Sequence, residues 1–185
     1  MPTRSGATAE HAFRQARRTF MAGQRLDVQA LAADLGVNRV TLYRWLGSRE
    51  QLLSDILWSV TDRYLTHEAE RLAAGHAPWT PELLTRFIRH VLAHPGMRRF
   101  LAEEGDYAMR LLTLGTGGFQ PRLVARVGEL LAADVAAGRL ATTVPLDDLA
   151  YTAVRIVESY VHLRVITGEQ PDADRAGRVL HTLLR

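Results

Sequence analysis

The sequence predicts an all-α fold of about nine helices, and three observations carry that prediction. Apolar residues recur at helical spacing through nearly the whole chain. Glycine, proline and short polar residues sit where those periodic segments begin and end. Neither a two-residue hairpin turn nor sustained apolar–polar alternation interrupts them, and no segment repeats another.

The first helix is expected over residues 8–22, where Ala9, Ala12, Phe13, Ala16 and Phe20 share a face and Gly23 stops it. Val28, Leu31, Ala32 and Leu35 give a two-turn helix ended by Gly36, and Asn38 caps a third over 39–46. Ser48 and Gln51 read as a capping box, S-R-E-Q, which opens a helix that nothing breaks before Ala74. At ~1.5 Å per residue it would span ~40 Å, long enough to serve two domains, residues 1–50 and 51–185.

"GHAPWTPE" is a loop that closes on Thr80 as cap and Pro81 at the first helical position. Leu84, Phe87, Ile88 and Val91 line the next helix, which "HPG" ends at 94–96. Met97, Phe100 and Leu101 lead to a kink at Gly105, and Ala108, Leu111 and Leu112 continue beyond it. "GTGGFQ" is a flexible loop, and Pro121 starts a helix carrying Val124, Val127, Leu130 and Leu131. Helices at 147–167 and 172–184 complete the expected fold, with "AAGRLATTVP" as the connection before them.

The composition is globular: 47% of the 185 residues are hydrophobic and 23% charged. No apolar run reaches the ~18 residues of a membrane span, and "MPTRSGATAEHAF" lacks the apolar block of a secretory signal. Cysteine is absent, which excludes disulfides, thiolate metal sites and thiol redox chemistry. A cytoplasmic protein without membrane contact is expected. All 23 basic residues are arginine, a habit that goes with the abundant alanine of GC-rich coding and says nothing of function. Their distribution is more informative. Residues 1–49 hold eight arginines against three acids, and residues 50–185 hold 15 against 17. The basic excess is confined to the N-terminal end, where a polyanion would be met.

The two short helices and the turn at Gly36–Val37 make a helix-turn-helix. Leu31, Leu35, Val37, Leu42 and Leu46 would hold it together from inside. Arg39, Val40, Tyr43 and Arg44 would face out, where such a helix enters the major groove of double-stranded DNA. Arginine can bond both guanine acceptors and valine can meet a thymine methyl, so Arg39, Arg44 and Val40 are candidate base readers. Thr41, Tyr43 and Trp45 have tips suited to phosphate, and Gln29, Asn38 and Arg49 complete the candidate DNA contacts.

At these residues the sequence resembles a known family. "ALAADLGVNRVTLYRWLGSREQLL" is similar to the DNA-binding domain of TetR-type transcriptional regulators. Asn38, Thr41, Leu42, Tyr43, Ser48, Glu50, Leu52 and Leu53 match that pattern position by position, within residues 9–55. Trp45 stands where histidine or tyrosine is usual, Leu46 replaces phenylalanine, and Arg49 replaces lysine. Asp27, the expected cap of the second helix, occupies a position where threonine often contacts phosphate. "HPGMRRFLAEEGDYAMRLLT" and "DDLAYTAVRIVESYVHLRVITGEQPDADRAG" further resemble the C-terminal domain of QsdR-type regulators, associated with control of lactone-signal degradation. The resemblance implies a ligand-responsive, sequence-specific regulator, a repressor by expectation, with no enzymatic activity and no cofactor.

On that expectation an effector would bind among Trp58, Phe87, His90, Phe100, Tyr107 and Phe119, with Arg155, Glu158 and His162 as polar contacts. Those three follow Tyr151 at helical spacing, which a dimer seam or a solvated face would show equally well. The effector would be small and mostly apolar, a lactone or fatty acyl compound being the candidate classes. Ala173, Ala176, Gly177, Leu180, Leu183 and Leu184 form a stripe on the last helix that would close a homodimer. Such a dimer would present two recognition helices to an imperfect palindrome. Two other readings compete: an architectural DNA-binding protein without effector, and a helical metal sensor or enzyme. His90 and His94 lie at i and i+4, with Glu103, Glu104 or Asp106 as a third ligand. A di-iron site is excluded because no glutamate has a histidine three residues later.

Overall fold

The computed structural model describes residues 7–73 and 78–185. Arg4, Ala74 and most of the loop after the long helix lie outside the described residues. The helices are α1 Ala9–Met21, α2 Val28–Leu35, α3 Arg39–Leu46, α4 Arg49–Leu72, α5 Thr80–Ala93, α6 Pro95–Glu103, α7 Gly105–Thr113, α8 Phe119–Ala136, α9 Leu146–Val161, α10 Leu163–Thr167 and α11 Ala173–Leu183. A single 3-10 turn, Gly115–Gly117, precedes α8, and there is no strand among the described residues. None of these helices is long and apolar enough to cross a membrane.

These are the expected helices with two of them divided. Glu104, at φ −128° and ψ 34°, separates α6 from α7. His162, at φ −96° and ψ 15°, separates α9 from α10. Most caps are the expected ones: Asp27 accepts from Gln29 and Ala30 N–H, Asn38 from Thr41 N–H, and Ser48 from Gln51 N–H. Gly36 ends α2 in the left-handed region, at φ 65°. The capping box is only half formed, because the Gln51 side chain donates to Asp55 at 3.0 Å instead of turning back. Helix α8 begins at Phe119, two residues before the expected Pro121.

Thr80 is not a cap but the first residue of α5. The start of α5 is buried, and Asp134 of α8 satisfies it from outside the helix. The Asp134 carboxylate accepts from Trp79 N–H at 3.4 Å, Thr80 N–H at 3.0 Å, Thr80 Oγ1 at 2.6 Å and Arg139 Nε at 2.7 Å. A partner 54 positions away leaves no local trace in the sequence.

The first three helices pack around Phe20, Leu26, Leu31 and Leu42. Helix α4 leaves that unit and packs on α5 and α8, while α8 and α9 pair closely. Helix α11 lies on α5 and α9 of its own chain. That contact corrects the expectation for the small-residue stripe. Ala173, Ala176, Gly177, Leu180 and Leu184 are buried within the single chain, and a Cβ at Gly177 would come 2.8 Å from Thr85 Cγ2. An apolar stripe states only that a helix needs a partner, and α5 supplies one. Leu183 alone of the six is exposed, at 37%.

The Asp134 cap generates a stability prediction. Asp134→Ala strands three buried donors of the α5 start and one guanidinium. It is expected to lower unfolding free energy by about 3 kcal/mol, read from urea melts followed by circular dichroism.

Candidate nucleic-acid interface and ligand cavity

At ~3.6 residues per turn, Arg39, Val40, Tyr43 and Arg44 fall on one side of α3, and all four are exposed. Val40 is 77% exposed and Tyr43 40%, so the face joins two cations to apolar surface, as a base-reading surface requires. The Arg39 guanidinium lies 5.9 Å from the Tyr43 ring centroid, and its Nη2 is 3.5 Å from the hydroxyl. Arg44 forms no ion pair with any described residue. Gln29 is exposed at the start of α2. The Asn38 Oδ1 is committed to capping α3 at 2.7 Å, and Thr41 is half-buried at the edge of the face.

Two candidate DNA contacts are placed elsewhere. Trp45 is half-buried on the opposite side of α3, in a groove with Phe13, Leu46 and Leu52. It packs the helix against α1 and α4. Arg49 turns toward the α6–α7 break, where Nη2 meets both Glu104 oxygens at 3.1 and 2.8 Å. Its guanidinium also sits 5.1 Å from the Tyr107 ring centroid. Arg49 therefore ties the start of α4 to the α6–α7 corner.

A mostly apolar cavity of about 60 Å³ lies inside the helices that follow. Since roughly 10–15 Å³ of such space holds one water, only a few atoms fit without movement of the walls. Phe87, His90, Phe119, Glu158 and His162 line it, as the sequence suggested. Four other candidates do not. Trp58 supports Phe119 edge-on at 6.2 Å, and Phe100 packs edge-on against both Phe20 and Tyr107, at 5.9 and 6.0 Å. Tyr107 meets Arg49, and Arg155 lies outside, with Nη1 donating to the Thr113 carbonyl at 3.3 Å.

The sequence reading missed Phe20, Met21, Thr61, His94 and Met97 as lining residues. Phe20 and Met21 matter most, because they belong to the last turn of α1. They reach the cavity because α6 rests on α1 at Gly96, where a Cβ would overlap the Phe20 carbonyl. The one available signal was a glycine in the first turn of a helix, directly after "HP".

The polar groups of the cavity are unusual. Glu158 is 6% exposed and His162 2%. Neither Glu158 oxygen nor His162 Nδ1 has a hydrogen-bond partner among the described residues. Arg155 Nη1 comes within 2.8 Å of Glu158 Oε2, but as an ion contact without hydrogen-bond alignment. Burial pushes the Glu158 carboxyl up to about 7, with Arg155 offsetting part of the effect. Burial also pushes His162 down to about 4. His90 stacks on Tyr64 at 4.2 Å, and His94 Nδ1 accepts from Gly96 N–H at 3.2 Å. Both are held below the usual histidine range, His90 by burial and then by His94, His94 by burial. No three metal-ligating side chains come together among the described residues.

Comparison with known proteins locates this architecture. Residues 79–185 match the family described as the tetracyclin repressor-like C-terminal domain. Among solved structures, the chain is similar to the transcriptional repressor QsdR of R. erythropolis, a TetR-family protein, with 28% identity and a TM-score of 0.83. That match covers 99% of this chain and 96% of the other. A TetR transcription regulator from Haloarcula marismortui, 14% identical over 95% of each chain, has a TM-score of 0.54. A TetR-family regulator from Rhodococcus sp. is 18% identical over 96% of this chain and 97% of its own, with a TM-score of 0.52. These last two show the fold. A comparison with curated proteins gives no match.

The buried carboxyl has a thermodynamic consequence. A Glu158 pKa raised from an ordinary 4.5 to about 7 means the folded state holds a proton that the unfolded state releases. Its contribution is full below pH 4.5 and is lost as pH rises through about 7. Glu158→Gln removes that loss. Relative to wild type, the variant is expected to gain on the order of 3 kcal/mol between pH 5 and pH 8. Thermal melts across that range would measure it.

Proposed function

The chain belongs to the tetracycline repressor-like (TetR) family of transcriptional regulators, and on that premise we propose that it is a homodimeric repressor released from an imperfect palindromic operator by a small, mostly apolar effector. In this reading residues 1–50 bind DNA, and residues 51–185 bind effector and dimerise. The observation that carries it is a shared wall. Phe20 and Met21, at the end of the first DNA-binding helix, close a cavity otherwise built from α4 to α9. The likeness to a TetR-family repressor over nearly the whole chain supports the direction of control.

Coupling follows from how tight that cavity is. With about 60 Å³ available, an effector enters only as the walls part. Because α1 supplies two residues of those walls, Phe20 and Met21, occupancy acts on the DNA-binding unit directly. A second connection runs from Phe20 through Phe100 and Tyr107 to Arg49, the first residue of α4. Packed helices respond by shifting as rigid bodies, which would change the spacing of two recognition helices. An effector releases DNA only by preferring the shifted arrangement, and operator DNA must weaken effector binding in return.

For the dimer, half-buried Tyr160 of α9 lies in one open groove with exposed Val179 and Leu183 of α11. Two-fold pairing through such a face is the commonest way to cover it. It replaces the buried side of α11 as the expected contact.

Two measurements test this reading. After genome-wide mapping of binding sites, Arg39→Ala or Arg44→Ala is expected to cost about 1–3 kcal/mol on the operator and to relax preference at particular base pairs. Unchanged affinity and sequence preference for both variants would refute the assigned face. In light scattering, Leu183→Glu is expected to give a helical monomer that binds operator weakly. Leu180→Glu, buried at 0% exposure, is expected to unfold instead.

A further inference from the structure

Resting on the effector cavity just described, we propose that Glu158 and His162 read the polar end of the ligand, and that this end is a nitrogen hydrogen-bond donor, an amine or amide, on a compact apolar body. Both Glu158 oxygens are buried without a hydrogen bond, and Arg155 reaches only Oε2, as an ion contact at 2.8 Å. An ionised carboxylate accepts hydrogen bonds and donates none. A ligand donor is therefore the group that relieves its desolvation. The neighbouring unpartnered His162 Nδ1 offers a second polar point one helical turn along the chain.

A ligand carboxylate would meet the opposite situation. The ionisable groups facing Glu158 are His90 of α5, His94 at the α5–α6 corner and His162. Burial keeps all three histidines neutral at pH 7. The walls from α1, α4, α6, α7 and α8 carry no ionisable side chain. Among the described residues Arg155 is the one cation beside Glu158, and it already lies against that carboxylate. Arg98 and Arg164 sit in a separate outer groove that shares only Val161 and His162 with the cavity. A fatty acid with its head at Glu158 would place two like charges beside a single cation already committed to Glu158, whereas an acyl amide or an amine would not.

The test is calorimetric titration of the whole protein with four probes that share one ring: benzylamine, benzamide, methyl benzoate and sodium benzoate. At pH 8, benzylamine and benzamide are expected to bind wild type, and the ester and benzoate to bind at least tenfold more weakly. Benzylamine affinity is expected to rise about tenfold from pH 6 to pH 8, as Glu158 ionises. Glu158→Gln, checked for a native helical melt, is expected to lose both the preference for benzylamine and its pH dependence. Glu158→Leu serves as a second variant and is expected to favour methyl benzoate. The proposal is overturned if benzoate or the ester binds wild type as well as the amine and amide. It is equally overturned if no probe binds, or if Glu158→Gln leaves the ranking unchanged. Operator binding by ligand-free protein is measured separately, so that failure of the regulator reading is distinguishable from failure of this one.

Discussion

A Cβ at Gly96 would overlap the carbonyl of Phe20, so a glycine is what allows the first turn of α6 to rest on the last turn of α1. Much of the structure depends on that close approach. Gly23, at φ 76°, turns the chain away beside Pro95. The contact seats Phe20 edge-on against Phe100 and brings Phe20 and Met21 over the cavity. Through Phe100 and Tyr107 the same packing reaches Arg49, which Glu104 holds at the α6–α7 break. A side chain at position 96 would separate the three-helix unit from the bundle. The cavity would lose its α1 wall, and the two connections between cavity and recognition helix would loosen together.

Two buried carboxylates show how differently the fold treats the same chemical group. Asp134 is fully buried and accepts from three donors at the start of α5 and from Arg139. Its charge completes a helix terminus, so its desolvation is offset and its role is structural. Glu158 is almost as deeply buried but faces a cavity, with only the edge of Arg155 for company. Nothing in the folding of the chain requires a carboxyl there, and an uncharged side chain of the same shape would cost less. A polar group kept at a net cost, on a wall that also includes α1, is the observation on which the proposed ligand contact rests.

How much was legible depends on how local each cause is. The helix-turn-helix could be read because every determinant lies within a few residues: Asp27 and Asn38 as caps, Gly36 as the left-handed stop, Leu31 and Leu42 facing inward. The exposed face of Arg39, Val40, Tyr43 and Arg44 followed from helical period alone. Trp45 misled because an amphipathic indole suits both a phosphate and a half-buried groove. Five of the nine candidate residues line the cavity, because helical spacing places them on inward faces, but the spacing could not tell lining from support. Phe119 lines the cavity while Trp58 and Phe100 brace it from behind.

The sequence by itself determined which segments are helices, which face of each is apolar, and where the basic recognition helix lies, because period, caps and charge act over a few residues. Only the tertiary structure decided what each apolar face meets. The stripe on α11 specified a need for burial that α5 of the same chain satisfies, with Gly177 against Thr85, leaving Val179 and Leu183 exposed on the other side. The tertiary structure likewise put Asp134 at the start of α5, Glu104 on Arg49, and α1 over the cavity. Each of these joins residues far apart in the chain. Burial is non-directional, so it leaves the choice of partner to the packing of the whole chain.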